Sequence, residues 1–193
     1  MRLIAATLLL AVLVGAAFGG RPARLSLTEV RWRWAAVVGL VLQAFPLPNS
    51  LEGLELPMLY VSFTLLVAFA IANVRLRGFE LIAVGLLLNF LVIAVNAGMP
   101  VSRQALVASD QLGSLEYLER YGGAKHHLAG AGDRLTALGD VIAIPAPIAQ
   151  AISIGDLFTY CGAGLFVVLG MTGHLRRTER PRLAADPEAA TDG

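Results

Sequence analysis

Charge is what this sequence has least of. Acidic and basic residues make up 15 % of the chain, against 56 % hydrophobic residues, where a soluble globular chain carries about 25 % charge. So little polar surface cannot cover a soluble domain. The apolar residues also come in long runs, which points to an integral membrane protein. A net charge of +1 singles out no charged partner, and no basic face interleaved with aromatics suggests nucleic acid. The single cysteine, Cys161, excludes an intramolecular disulfide, and within an apolar run it reads as a small buried hydrophobe. No cysteine follows the first hydrophobic run as a lipid-modified leader requires, so a lipoprotein is not expected. Gly-rich phosphate loops, HExxH and GxSxG are all missing, and no cofactor is expected. His126 and His127, taken as helical neighbours, point about 100° apart and make a poor metal pair. They read as surface residues, and no metal is expected. No internal repeat is visible.

What is present is a series of apolar runs with arginines between them. Five spans are expected, at about 3–19, 33–47, 57–74, 79–97 and 152–174. The first run resembles a signal peptide, with Ala17-Phe18-Gly19 as a tolerable cleavage site. Cleavage would strand Arg21, Arg24, Arg31 and Arg33 outside, against the positive-inside rule, so a retained helix is expected. Gly15-x-x-x-Gly19 in that helix is a candidate packing face. Trp32 and Trp34 sit where amphipathic rings settle at a membrane interface. With the N-terminus outside and the C-terminus inside, Arg21, Arg24, Arg31, Arg33, Arg75, Arg77, Arg176, Arg177, Arg180 and Arg182 all fall on the inner side. Arg2, Arg103, Arg120, Lys125 and Arg134 fall outside, and four of these five lie in one long segment, where charge matters less. The expected fold is therefore all-α: a polytopic bundle of five transmembrane helices in a bacterial cytoplasmic membrane, N-out and C-in. Residues 1–175 form one transmembrane domain, 176–193 a disordered cytoplasmic tail, and the partner implied throughout is the lipid bilayer.

The outer segment, 98–151, is expected to be partly helical. Leu112, Leu115 and Leu118 recur at helical spacing within Gln104 to Arg120, predicting an amphipathic helix on the membrane surface. Gly122-Gly123 ends it. Leu128 to Leu138 predicts a second short helix, and Pro145 and Pro147 force an extended lead into the last span.

Few polar residues fall within the spans. Gln43 and Thr64 are single groups that a neighbouring helix or the backbone can satisfy, and Glu80 reads as an interfacial ion pair with Arg77. The cluster worth most attention is at the outer mouth of the bundle. Three Gly-Asp pairs bring Asp133, Asp140 and Asp156, the last one turn into the fifth span. Asn89 and Asn96, seven apart, share one face of the fourth. An unpartnered charge or amide in hydrocarbon costs a few kcal/mol, so pairing these groups would offset both costs. In one reading Asp156 anchors a helix start, where the dipole favours a carboxylate, and the asparagines are interhelical hydrogen bonds. In the other, Asp156 and Asp140 or Asp133 share a proton, as two close carboxyls in low dielectric must.

Two resemblances follow. NFLVIAVNAGMPVS (Asn89 to Ser102), RLTALGDVIAIPAP (Arg134 to Pro147) and SIGDLF (Ser153 to Phe158), in that order, resemble a family of small bacterial multi-pass membrane proteins catalogued as domain of unknown function 5317. That family brings no activity with it. Asp133-Arg134, then Gly139-Asp140-Val141-Ile142, then Gly155-Asp156 at the opening of the last helix, resemble the C-terminal half of lipoprotein signal peptidase. That likeness implies an aspartyl intramembrane peptidase with Asp140 and Asp156 as the catalytic pair, Asn96 as a positioning group and Arg134 as a structural partner. Here GAGDR lacks the asparagine that family places before Asp-Arg, and Ile152-Ser153 replaces Phe-Asn. Three functions therefore stand open: a non-enzymatic membrane protein with an Asp/Asn cluster at its mouth, an intramembrane peptidase, or a small transporter with polar residues at helix breaks.

Overall fold

A computed structural model describes residues 2–44, 53–123 and 125–175. Among these the chain is mostly helical: α1 (Arg2–Ala17), α2 (Ala23–Ser26), α3 (Arg33–Ala44), α4 (Glu55–Ala72), α5 (Phe79–Asn96), α6 (Arg103–Ala108), α7 (Leu112–Tyr121) and α8 (Ile154–Thr172). Three of these, α4, α5 and α8, are long and apolar enough to cross a membrane; 18 residues at 1.5 Å each reach about 27 Å. The apolar helices α1 and α3 are shorter. The second expected span ran to residue 47, and its last three residues, like the tail 176–193, lie outside the described residues.

The helices pack side by side in the order α3, α4, α5, α8, α1. α3 and α4 run antiparallel, with Gly39 against Ser62 and Leu66 and the backbone of Arg31 bonded to Asn73. α5 and α8 also run antiparallel, while α1 runs parallel to α8, with Thr7 and Ala11 beside Gly164 and Gly15 beside Met171. Because directions alternate this way, the connections at Arg21, Arg24, Arg31, Arg33, Arg75 and Arg77 gather at one end. The segment 98–151 gathers at the other. Trp32 and Trp34 are exposed at the arginine end.

Glycine sets the closest contact of the bundle. Gly78 and Gly85 on α5 face Gly162 and Gly155 on α8, each pair seven residues apart. A Cβ on any of the four would strike backbone of the other helix. Small residues that let backbones approach are how helices associate where the hydrophobic effect is absent. Gly78 also needs its φ of 99° to open α5 at this approach. The expected Gly15-x-x-x-Gly19 face is half realised. Gly15 is buried on Met171, but Gly19, at φ 72°, only ends α1 and meets nothing. At the arginine end Phe79 makes edge-to-face contacts with Phe69 and Phe166, with centroids 5.4 and 5.2 Å apart. At the opposite end, where residues 98–151 gather, Leu59, Phe63, Val92, Ile93 and Met99 form a core cluster.

Several local expectations are corrected. The fold is not purely α: β1 (Met99–Val101) pairs in parallel with β2 (His126–Leu128), and β3 (Ile142–Ile144) pairs antiparallel with β4 (Gln150–Ile152). The outer amphipathic helix is two helices, α6 and α7, broken at Ser109 to Gln111, where Asp110 takes φ 59°. Ser102 caps α6 and Ser109 bonds back to Leu106, so local serine bonds compete with a continuous helix. The predicted helix over Leu128 to Leu138 is a strand end, turns and one 3-10 turn at Thr136–Leu138. The extended lead before α8 is present as the β3–β4 hairpin around Pro145 and Pro147. Cys161 is exposed on the apolar outer face of α8 rather than buried. Thr64 bonds back to the Tyr60 carbonyl as expected. Glu80 accepts from the Gly78 amide at the start of α5.

Candidate functional site

Ser153 and Asp156 open α8 as a capping box. The Asp156 amide donates to Ser153 Oγ at 2.9 Å, and the Ser153 amide donates to Asp156 Oδ2 at 3.1 Å. Asn89, from the middle of α5, completes the group: its Nδ2 donates to Asp156 Oδ1 at 2.8 Å, and Ser153 Oγ donates to its Oδ1 at 2.7 Å. The glycine approach makes this possible, since Gly155 lets the Asn89 carboxamide lie against the α8 backbone. Both Asp156 oxygens are thus engaged, and Ser153 and Asn89 are buried. The spacing Ser153-x-x-Asp156 is the signal that could have announced Ser153 from sequence.

Asn96 does not join this group. At the end of α5 its carboxamide clamps the backbone of Arg134, with Nδ2 donating to the carbonyl at 2.8 Å and Oδ1 accepting from the amide at 2.7 Å. The peptide unit of Arg134, not its guanidinium, is what the fold uses. Lys125 latches the same segment elsewhere, donating from Nζ to the Gln43 carbonyl at 2.8 Å, a cation at the C-terminal turn of α3. Asn73 mirrors Asn96 at the arginine end, bonding both the amide and the carbonyl of Arg31 at 2.8 Å.

Asp140 lies in a different environment. β1 holds β2 on one edge and bridges to Asp140 on the other: Met99 opposes His126, and Val101 opposes Asp140. Residues two apart on a strand share a face, and paired residues share it too. Hence His126 and Asp140 project together, while His127, opposite Pro100, projects the other way. The adjacent histidines are therefore strand neighbours directed to two carboxyls rather than helical neighbours; His126 is exposed, as expected of a surface residue, and His127 is half-buried. His127 Nε2 lies 2.9 Å from Asp133 Oδ1, and Asp133 Oδ2 accepts from the Gly130 amide. That amide bond holds the Asp133 carboxyl below its ordinary range. His126 Nε2 lies 3.8 Å from Asp140 Oδ2.

His126 and Asp140 open into a pocket of about 480 Å³ beneath α7, with Val101, Leu106, Gln111, Tyr117, Leu118 and Ala151 among its walls. Gln111 fixes the roof to the hairpin, its Oε1 accepting from the Ala151 amide at 2.6 Å and from Ser109 Oγ at 3.1 Å. The Asp140 residue is 8 % exposed and, among the described residues, accepts no side-chain hydrogen bond. Burial, reinforced by the charge of Asp156, pushes its pKa up to about 8. His126 keeps half its side-chain surface open, but open to the pocket, and surrounding protein still lowers its pKa by desolvating the charged form. At neutral pH the pocket therefore holds a protonated carboxyl beside a neutral imidazole. The sequence offers no pattern that foretells this pairing, which depends on the register of two segments that both meet β1.

Among the described residues no group of three or more potential ligands could hold a metal ion. Residues 27–168 match the profile of DUF5317, a family of unknown function. A Thermotoga maritima protein described only as uncharacterized is 32 % identical over 134 residues, covering 68 % of this chain and 74 % of the relative. No solved structure matches.

Proposed function

We propose that this chain, which belongs to the DUF5317 family of unknown function, is a five-span protein of the bacterial cytoplasmic membrane that binds a ligand at its outer end. In this reading α1, α3, α4, α5 and α8 all span, N-out and C-in. Support comes from the alternating directions of five apolar helices and from the gathering of Arg21, Arg24, Arg31, Arg33, Arg75 and Arg77 at one end. Residues 98–151 then form an outer cap, pinned by Asn96 and Lys125.

The observation that carries the binding role is the contrast between two carboxyls. Asp156 has both oxygens hydrogen-bonded within the helix pair and serves architecture, with Asn89. Asp140 is as enclosed as a core residue, yet faces a cavity of ligand size with no hydrogen bond of its own. Topology is tested with Cys161→Ala as background. A cysteine at Gly113 should react with an impermeant maleimide on intact cells, and one at Arg77 only after permeabilisation. The opposite pattern refutes the orientation.

One observation favours a second reading, the intramembrane aspartyl peptidase. Asp140 and Asp156 are electrostatically coupled, as a proton-sharing pair would be. Asp156 would have to exchange its capping bonds for a catalytic role. Processing of a prolipoprotein in cells lacking their own lipoprotein signal peptidase decides it: equal processing by wild type and Asp156→Asn removes that role.

A further inference from the structure

We infer that the pocket beneath α7 takes a small organic cation, an ammonium group on an apolar body, with Asp140 as its counter-charge. The inference rests on the binding role proposed above and names the chemistry of the ligand. Its first support is that the Asp140 carboxyl lines the pocket and accepts no hydrogen bond from the described residues, so it is open to a donor from a ligand.

The second support is the sign of the local field. Asp140 faces Asp156 and Tyr160 from α8 and His126 from β2. Among the described residues no lysine or arginine lines the pocket. The nearby Lys125 spends its ammonium on the Gln43 carbonyl, and Arg103 is paired with Glu119 at the protein surface. An anionic ligand would meet two carboxyls and no cation. A neutral ligand could bond Asp140 but would gain nothing from Asp156. A cation gains from both. The walls supply the rest: Val101, Leu106, Leu118 and Ala151 suit an apolar body, and Tyr117 adds an aromatic residue to the lining, a residue type that attracts cations.

Binding of an ammonium ion would convert Asp140 to its carboxylate and release the proton. With the free carboxyl titrating near 8, about 0.9 proton per ligand should leave at pH 7. His126 would stay neutral and accept a hydrogen bond from the same ammonium.

The test uses the full-length protein in detergent with three matched probes: 2-phenylethylamine, 2-phenylethanol and 3-phenylpropionate. Thermal shift and calorimetry in two buffers of different ionisation heat report binding and proton release. The expected result is a melting temperature raised several degrees by the amine alone, with proton release near the stated figure. Asp140→Asn should abolish both. A second variant, Ser114→Trp, fills the pocket from an exposed position on α7 and should abolish both without touching the acid. If the alcohol stabilises as well as the amine, or if the amine still binds Asp140→Asn while Ser114→Trp blocks it, the cation inference is wrong and the binding role stands. If none of the three probes binds, both are wrong.

Discussion

A carboxyl buried without a hydrogen bond should make the protein less stable as pH rises, and Asp140 allows the size of that effect to be worked out. Its unfolded pKa is 3.8 and its folded pKa is about 8. Between these values the folded state holds a proton that the unfolded state has lost, so stability falls with increasing pH and stops falling above about 8.5. His126 works in the other sense: its lowered pKa means that charging it costs stability below about 6.5. The window from pH 6.5 to 8.5 therefore isolates Asp140. Across it the linkage amounts to ~2 kcal/mol, or a fall of about 4–8 °C in melting temperature for a chain of this size. The perturbation is Asp140→Asn, which keeps the shape and removes the titration. Melting followed by near-ultraviolet circular dichroism in one detergent should show the slope in wild type and a flat profile in the variant, with the variant the more stable at pH 8.5. An equal slope in both proteins would refute the assignment of Asp140 as the enclosed acid that sets it.

Four further variants test the architecture around it. Gly155→Ala places a methyl group into the Asn89 carboxamide and the Gly85 carbonyl and should cost ~1–3 kcal/mol. Gly113→Ala, with open space around it, should be neutral or slightly stabilising in a denaturation series. Asn96→Ala removes both bonds to the Arg134 peptide, an expected loss of about 1–3 kcal/mol, seen as faster amide exchange near Arg134. Arg134→Ala keeps that peptide and should stay within about 0.5 kcal/mol of wild type.

The long apolar helices were legible because they are written in short-range patterns. Runs such as Phe79 to Asn96 need only local counting, and arginine placement orders their ends. The cap was poorly legible because its structure depends on pairing distant segments. Nothing local to His126-His127-Leu128 says strand: the segment is strand only because Met99–Val101 lies beside it. Leu128 to Leu138 carried helical spacing, but Asn96 and Asp133 hold its backbone in turns, a tertiary override of local preference. The site divides the same way. Asn89 and Asp156 were visible as costly groups that had to meet, and they do. Asn96 was grouped with them on helix periodicity, yet its position at the end of α5 turns it to the cap backbone. The resemblance makes Arg134 a structural partner, and the part of it that Asn96 binds is its peptide backbone.

One of the two readings open to the sequence makes Asp156 share a proton with Asp140 or Asp133 at the outer mouth of the bundle, and the resemblance to lipoprotein signal peptidase selects Asp140 and Asp156. Hydrogen bonding separates them. Asp156 receives an amide N–H and a carboxamide N–H at a helix start, where the dipole also favours negative charge. Asp140 receives neither, and its strand neighbours offer only an imidazole 3.8 Å away. A carboxylate already stabilised by its fold has little to gain from a ligand. One that stays protonated until a donor arrives has much to gain, and the charge of the first raises that gain for the second. The glycines at 85 and 155 thus reach beyond packing. By bringing Asn89 against α8 they fix the place of the Asp156 carboxyl, whose charge adds to burial in raising the pKa of Asp140 in the pocket.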